Sequence, residues 1–273
     1  MSEYPLPLAF IESMRPLLSG EMDAFLASYQ QPAQRGVRFR DARRPLPTNS
    51  LLGDIPYARN ACYLSLDSNA GAIPLHEAGA YYLQEPSAMA AAAALRPQDG
   101  DRVLDLCAGS GCLGLAIASQ VPAARVVLGE LSDGALRVCR QNIRRNGLTG
   151  RVTAMQLDAL RPPVQRLGDF DCIVSNPPYI PSGDIPGLDA SVRDYEPHMA
   201  LDGGADGLDF YRAICAHWRS VLHPGSRLCF EVGIGQADDV LRLMRSVGFG
   251  DLEILPDPAG IPRVVLGDLY QEI

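Results

Sequence analysis

The stretch "VLDLCAGSGCLG", residues 103–114, decides how this chain is read. Its first half is an apolar run of strand length, broken by the single acid Asp105. "AGSG" then interrupts the pattern, and "CLGLAIASQV" (112–121) resumes with apolar residues at helical spacing. Strand, glycine turn and helix in that order bring backbone N–H groups and the partial positive charge of a helix N-terminus to the end of a strand. In open parallel sheets that end is where ligands bind.

Moving outward, strand and helix patterns alternate. "SAMAAAAAL" (87–95) precedes the opening stretch as a helix. After it come a strand "ARVVLGEL" (124–131), a helix "DGALRVCRQNIRRNG" (133–147) closed by Gly147, and the strands "RVTAMQLDA" (151–159) and "FDCIVSN" (170–176). A helix "LDFYRAICAHWRSVL" (208–222) ends at "HPG", followed by a strand "SRLCFEVG" (226–233) and a helix "QADDVLRLMRSVGF" (236–249). The last strands, "DLEILPD" (251–257) and "RVVLGDL" (263–269), are separated only by "PAGIP". That link is too short for a helical crossover, so they should pair antiparallel. The expectation is an α/β fold, a mostly parallel doubly wound sheet with an antiparallel last strand. This arrangement resembles the Rossmann-like class I methyltransferases.

The first 75 residues differ. "LAFIESMRPLLSGEMDAFLASYQ" (8–30) has helical spacing, and "LGDIPYARNACYLSLDSNAGAIP" (52–74) reads as short strands and turns. Between them Arg35, Arg38, Arg40, Arg43 and Arg44 form the densest basic cluster, read either as a solvated loop or hairpin or as a contact for RNA or an acidic partner. The expected division is a small α+β accessory region, 1–75, and a catalytic domain, 76–273.

Bulk properties narrow the class. The 273 residues are 47% hydrophobic and 21% charged, with a formal net charge of −8. This is ordinary globular composition, and the acidic balance weighs against a grip on nucleic acid driven by phosphate neutralisation. The start "MSEYPLPLAF" has no basic segment followed by an apolar one, and the run "AMAAAAAL" is far shorter than a bilayer span. The seven cysteines are odd in number and scattered, and five of them (Cys107, Cys139, Cys172, Cys215 and Cys229) lie in apolar patterns. That reads as free thiols in a reducing cytoplasm, with neither disulfides nor a metal site.

The glycine turn at Gly109 and Gly111 also suits nicotinamide dinucleotides. The acids at successive strand ends sharpen the reading. Glu130 can take both ribose hydroxyls of an adenosine, Asp105 can meet a methionine ammonium, and Asp158 can meet the adenine amine. Each alone reads equally as a capping or surface carboxylate, but together they point to S-adenosylmethionine. Strand four ends in "SNPPYI" (175–180), where Pro177 and Pro178 stop the ladder. The Asn176 side-chain oxygen and the Pro177 carbonyl are two rigid acceptors for the N–H groups of an amine or amide, and Tyr179 can stack on a flat acceptor.

Around this motif, "SNPPYIPSGDIPGLDASVRDYEPHMALDGGADGLDFYRAI" (175–214) and "AGIPRVVLGDL" (259–269) resemble the release-factor glutamine methyltransferases, which methylate the side-chain amide of the glutamine in a Gly-Gly-Gln loop. The resemblance runs from about residue 100 to the end. It implies that Cys107, Ala108, Gly109, Ser110 and Gly111, with Glu130, Asp158, Ala159 and Asn176, bind the cofactor. It further implies that Asn176, Pro177, Pro178 and Tyr179 bind substrate, with Asn176, Pro177 and Tyr179 catalytic and Glu196 supporting that wall. Cys107 stands where a glycine is common, and Glu130 where an aspartate is. The docking domain of that family is missing. Instead "FLASYQQPAQRGVRF" and "HEAGAYYLQEPSAMAAAAALRPQDGDRVLDLCA" resemble the N-terminal region of ribosomal RNA cytosine carbon-5 methyltransferases, so the chain reads as two families joined near residue 107. The Pro-Cys and Thr-Cys motifs of those RNA enzymes do not occur. A release factor is thus the expected partner, and RNA contact through the N-terminal arginines is the alternative. The rival functions are an RNA base methyltransferase and a non-catalytic cofactor- or RNA-binding module.

Overall fold

The structure is a computed structural model that describes residues 11–12, 15, 22–28, 34–39, 42–77, 80–84, 86, 89–164, 167–257 and 260–270. Parts of the expected N-terminal helix, Arg40, and residues 87–88 at the start of the expected alanine-rich helix lie outside the described residues.

Seven strands form the main sheet: β5 (Arg102–Leu106), β6 (Arg125–Glu130), β7 (Val152–Gln156), β8 (Phe170–Ser175), β9 (Leu222–Glu231), β10 (Phe249–Pro256) and β11 (Pro262–Leu269). Their order is β10-β11-β9-β8-β5-β6-β7. Neighbours from β9 to β7 pair in parallel, whereas β11 inserts antiparallel between β9 and β10. The short link after β10 forces that reversal, as the sequence predicts. The order reverses at β5/β8, where crossovers leave in opposite directions and open a crevice at the strand C-termini.

Helices cover both faces. Taking the chain from its start, α1 is Met22–Ser28, α2 Ala90–Leu95, α3 Cys112–Gln120, α4 Asp133–Arg145, α5 Asp209–His217 and α6 Ala237–Ser246. Residues from α2, α3 and α4 build one core layer against the sheet, including Leu95, Ile117, Cys139 and Ile143. Trp218 and Tyr211, the largest fully buried side chains, anchor the opposite layer with Phe170 and Phe230. Burial of each such side chain contributes roughly 1.5–3 kcal/mol. Helix α4 shows why its sequence folds there. The Ser132 hydroxyl accepts from the Ala135 N–H at 3.3 Å, Asp133 sits in the first turn, Arg144 and Arg145 in the last, and Gly147 exits at φ +67°.

Two helix ends differ from the sequence reading: the helix expected over 236–249 stops at Ser246, with Phe249 already in β10, and the other is at the end of α5. The helix expected over 208–222 ends at His217 in a 3-10 turn, and β9 already begins at Leu222. The "HPG" segment lies within β9, where the register against β8 shifts between Phe170 and Cys172. The Ser226 hydroxyl holds the bulge by donating to the Phe170 carbonyl at 2.9 Å and accepting from the His223 N–H at 3.1 Å.

The N-terminal part is a four-stranded antiparallel sheet, ordered β2-β3-β1-β4, of β1 (Arg35–Phe39), β2 (Leu51–Asp54), β3 (Ala61–Leu64) and β4 (Tyr81–Gln84). It takes in residues past 75, and it buries its own cluster of Val37, Phe39, Cys62, Leu64 and Tyr81. The arginine cluster is not a uniformly solvated loop. Its first part is the interior strand β1, where pairing on both edges buries Arg38, while Arg43 and Arg44 are exposed.

Candidate active site

The site is built where β5, β6, β7 and β8 end. In β5 and β8, Leu106 faces Ser175 across the ladder, so Cys107 and Asn176 leave the sheet side by side. The chain turns at once: Cys107 takes φ +59°, Gly109 φ +55° and Gly111 φ +86°. A Cβ on Gly109 would meet nothing within 4 Å, so the turn presents open backbone. Gly111 and Gly114 serve packing instead. A Cβ at Gly111 would lie 2.8 Å from Leu128 Cδ1, and one at Gly114 would overlap Leu128 and lie 2.9 Å from Val126 Cγ1. Helix α3 therefore sits hard against β6. Gly109, Gly111 and Gly114 also satisfy the G-x-G-x-x-G spacing of dinucleotide-binding turns, so the turn alone does not identify the ligand.

Glu130, at the end of β6, binds the turn itself. Its Oε2 accepts from the Gly109 N–H and its Oε1 from the Ser132 N–H, both at 2.8 Å. Asn142 of α4 donates to the Ser110 carbonyl at 3.0 Å and fixes the outer side of the turn. The Ala108 N–H donates to the Gly129 carbonyl at 3.1 Å. Asp105 is fully buried under the turn. Its Oδ2 accepts from the Gly114 N–H at 2.8 Å, while Oδ1 has no hydrogen-bond partner among the described residues. Burial first, with the nearby Glu130 charge adding to it, pushes the Asp105 carboxyl up to about 7 against the Gly114 bond. The Cys107 thiol is raised in the same way, by burial and then by Glu130.

Asp158 follows β7 and accepts from the Leu160 N–H at 3.0 Å, with Arg161 Nε 3.3 Å from its other oxygen. At the next residue the buried Trp218 indole donates to the Ala159 carbonyl at 3.0 Å. The Leu157 N–H donates to the Glu130 carbonyl at 3.1 Å, which holds the β6 and β7 exits together.

After β8, Pro177 and Pro178 are buried while Asn176 and Tyr179 are half-buried. No hydrogen bond reaches the Asn176 side chain among the described residues. Tyr179 is held from behind by residues that the motif alone does not reveal. Gln236 Nε2 donates to its carbonyl at 2.9 Å. A Cβ on Gly203 would come 2.8 Å from Tyr179 Cα, and one on Gly207 would overlap the Tyr179 carbonyl. The glycines of "LDGGADG" (201–207) are the signal that could have found this close approach. Glu196 stands apart on the exposed run 193–200, its N–H donating to the Val192 carbonyl at 2.9 Å. The structure thus brings together Asp105, the 107–111 turn, Glu130, Asp158–Ala159 and Asn176–Tyr179, and does not bring Glu196 to them.

All seven cysteines are free. Among the described residues no group of three or more His, Cys, Asp or Glu could hold a metal ion, and no helix is long and apolar enough to cross a membrane.

Comparison with known proteins follows the same division. Residues 6–86 match the model of the N-terminal domain of 16S rRNA methyltransferase RsmF, and residues 87–185 match that of the methyltransferase small domain. Both resemblances read from the sequence thus have counterparts, with the change-over at residue 86/87. A release factor glutamine methyltransferase of Geobacter sulfurreducens is 49% identical over 167 residues, covering 60% of this chain and 57% of that protein. The chain spans about three-fifths of the length of the curated relatives it matches. Among solved structures, PH0851 superposes with a TM-score of 0.74 at 16% identity, over 97% of this chain and 66% of that one. NSun6 from Pyrococcus horikoshii, solved with SFG, gives 0.71 at 14% identity over 97% and 98%. These likenesses establish the class I methyltransferase fold with a small N-terminal sheet.

Proposed function

We propose that the chain is an S-adenosylmethionine-dependent methyltransferase whose acceptor is the side-chain amide nitrogen of the glutamine in the Gly-Gly-Gln loop of a peptide chain release factor. The observation that carries the cofactor assignment is the orphaned Oδ1 of Asp105, a buried acid with one empty acceptor beneath an open glycine turn. A buried carboxylate oxygen without a partner matches an incoming ammonium, and the Glu130 carboxylate, already oriented by two N–H groups, matches a ribose diol. When bound, the cofactor supplies an electrophilic sulfonium methyl group.

The chain's own contribution is orientation. An amide nitrogen is a poor nucleophile because its lone pair is delocalised. The Asn176 oxygen and the Pro177 carbonyl accept its two N–H groups, and the buried prolines hold both acceptors still while the lone pair is turned toward the methyl. The sulfonium would supply the methyl group to that nitrogen, and the extra proton on the nitrogen would leave to water. Tyr179, braced by Gln236, supplies a flat wall for the amide.

The amide acceptor and the partner rest on the 49% identity to a release factor glutamine methyltransferase over the catalytic part. One observation favours a second reading, an RNA base methyltransferase: the match of residues 6–86 to an rRNA methyltransferase domain. Strand β8 is followed by asparagine and not cysteine, so the covalent addition to the pyrimidine ring that carbon-5 methylation needs has no nucleophile there. Mass spectrometry after incubation with cofactor and either release factor or total RNA separates the readings. A methyl group on the Gly-Gly-Gln glutamine supports the first; methylated bases beside an unmodified release factor overturn it. A cytoplasmic location follows from the same reading.

A further inference from the structure

A cavity of about 360 Å³ lies between the N-terminal sheet and α3 and α4, reaching the glycine turn at Ser110. Arg38 and Tyr82 line it from the sheet side, and Ser110, Cys112, Asn142 and Arg145 from the helices. Among the described residues no aspartate or glutamate lines it.

Arg38 is 8% exposed, and its Nε, Nη1 and Nη2 have no hydrogen-bond partner among the described residues. Burial lowers its pKa to about 10, and the one other group that acts on it is the Cys112 thiol, itself pushed up to about 12 and therefore neutral. A guanidinium withdrawn from water with five unused donors is unfavourable by itself. Among the described residues it caps no carbonyl and pairs with no acid. Its place on a cavity wall is accounted for by an anion that enters and takes those donors.

The rest of the lining says which anion. Arg145 in the last turn of α4 is exposed and has no ion pair among the described residues, so two cations converge on one space that no described acid lines, which suits a dianion better than a single carboxylate. The Tyr82 and Ser110 hydroxyls, 3.4 Å apart, add neutral donors. The volume greatly exceeds one phosphate and is of small-ligand size. The Tyr82 ring, 42% exposed, offers a face on which a base can stack.

We propose that this cavity binds a nucleotide through its phosphate, held by Arg38 and Arg145, with the base against Tyr82. The nucleotide is either free or one unit of an RNA chain. The site adjoins the methyl-transfer crevice through Ser110 of the glycine turn and does not depend on which acceptor is methylated.

Calorimetry on the full chain tests it with inorganic phosphate, cytidine, cytidine 5′-monophosphate and a hexanucleotide RNA. Cytidine avoids the adenosine crevice. The monophosphate should bind at least about tenfold more tightly than cytidine, and Arg38→Met should remove at least about tenfold of that affinity while S-adenosylmethionine binding is unchanged. Arg145→Gln, an exposed substitution, should weaken the monophosphate several-fold and carries the test if the Arg38 variant does not fold. A hexanucleotide that binds more tightly than the monophosphate and competes with it identifies RNA as the source; one that binds no better identifies a free nucleotide. The proposal is overturned if the wild-type chain binds neither phosphate nor the monophosphate, or if both variants bind them as the wild type does.

Discussion

The Ser175 hydroxyl donates a 2.7 Å hydrogen bond to the Leu106 main-chain carbonyl, joining the last residues of β8 and β5. Both groups are buried, and the pair sits immediately before the two exits that form the site. Ser175→Ala would remove this buried hydrogen bond, so stability should fall by about 0.5–1.5 kcal/mol, as read by denaturant unfolding. Because the exits of Cys107 and Asn176 are set by this tie, methyl transfer should slow as well, with kcat falling more than KM rises.

Asn176→Ala should abolish most turnover and leave cofactor affinity nearly intact. Among the described residues the side chain reaches no protein partner that would need it for stability. Its loss therefore costs positioning of the acceptor. Near-wild-type methylation in this variant would reduce Asn-Pro-Pro-Tyr to a strand stop.

Glu130→Ala should weaken cofactor binding about tenfold or more by calorimetry, since charge-assisted bonds contribute on the order of 1.5–3 kcal/mol each. Two effects add here, loss of the diol acceptor and release of the turn that Oε2 holds through Gly109. Unchanged affinity would overturn the role of this acid.

Asp105 predicts a pH dependence with a definite sign. Its carboxyl titrates near 7 in the folded chain and near 4 unfolded, so the folded state holds the proton longer. Its contribution to stability is fully present below about pH 4 and is lost as pH rises to about 7. Ammonium binding needs the ionised form, so affinity for S-adenosylmethionine should rise several-fold between pH 6 and 7.5. Asp105→Asn should flatten both profiles, measured by thermal unfolding and calorimetry.

Gly114→Ala tests the packing that places the turn. The new methyl would overlap Leu128 and crowd Val126 and Asp105 Oδ2, the last at 3.1 Å. Helix α3 must move away from β6, and unfolding free energy should drop by about 1–3 kcal/mol. Substitution at Gly150, where a Cβ meets nothing within 4 Å, should be nearly neutral and serves as the control.

Much of this protein was legible from the chain because its signals are local. The glycine turn after "VLDLC", the acids Glu130 and Asp158 closing strands, and the prolines after Asn176 depend on periodicity and on backbone chemistry that each residue carries with it. The short link before the last strand likewise fixes its antiparallel sense. What only the tertiary structure decided depends on groups far apart in sequence. Gln236 braces Tyr179 across 57 positions, and Ser175 meets Leu106 across 69. Burial is decided in the same way. Asp105 becomes a high-pKa acid because α3 closes over it, and Arg38 loses water because its strand is paired on both edges and faces a cavity beside two helices. A sequence states which groups can ionise or donate; how much water and which partners they keep is set by what packs against them.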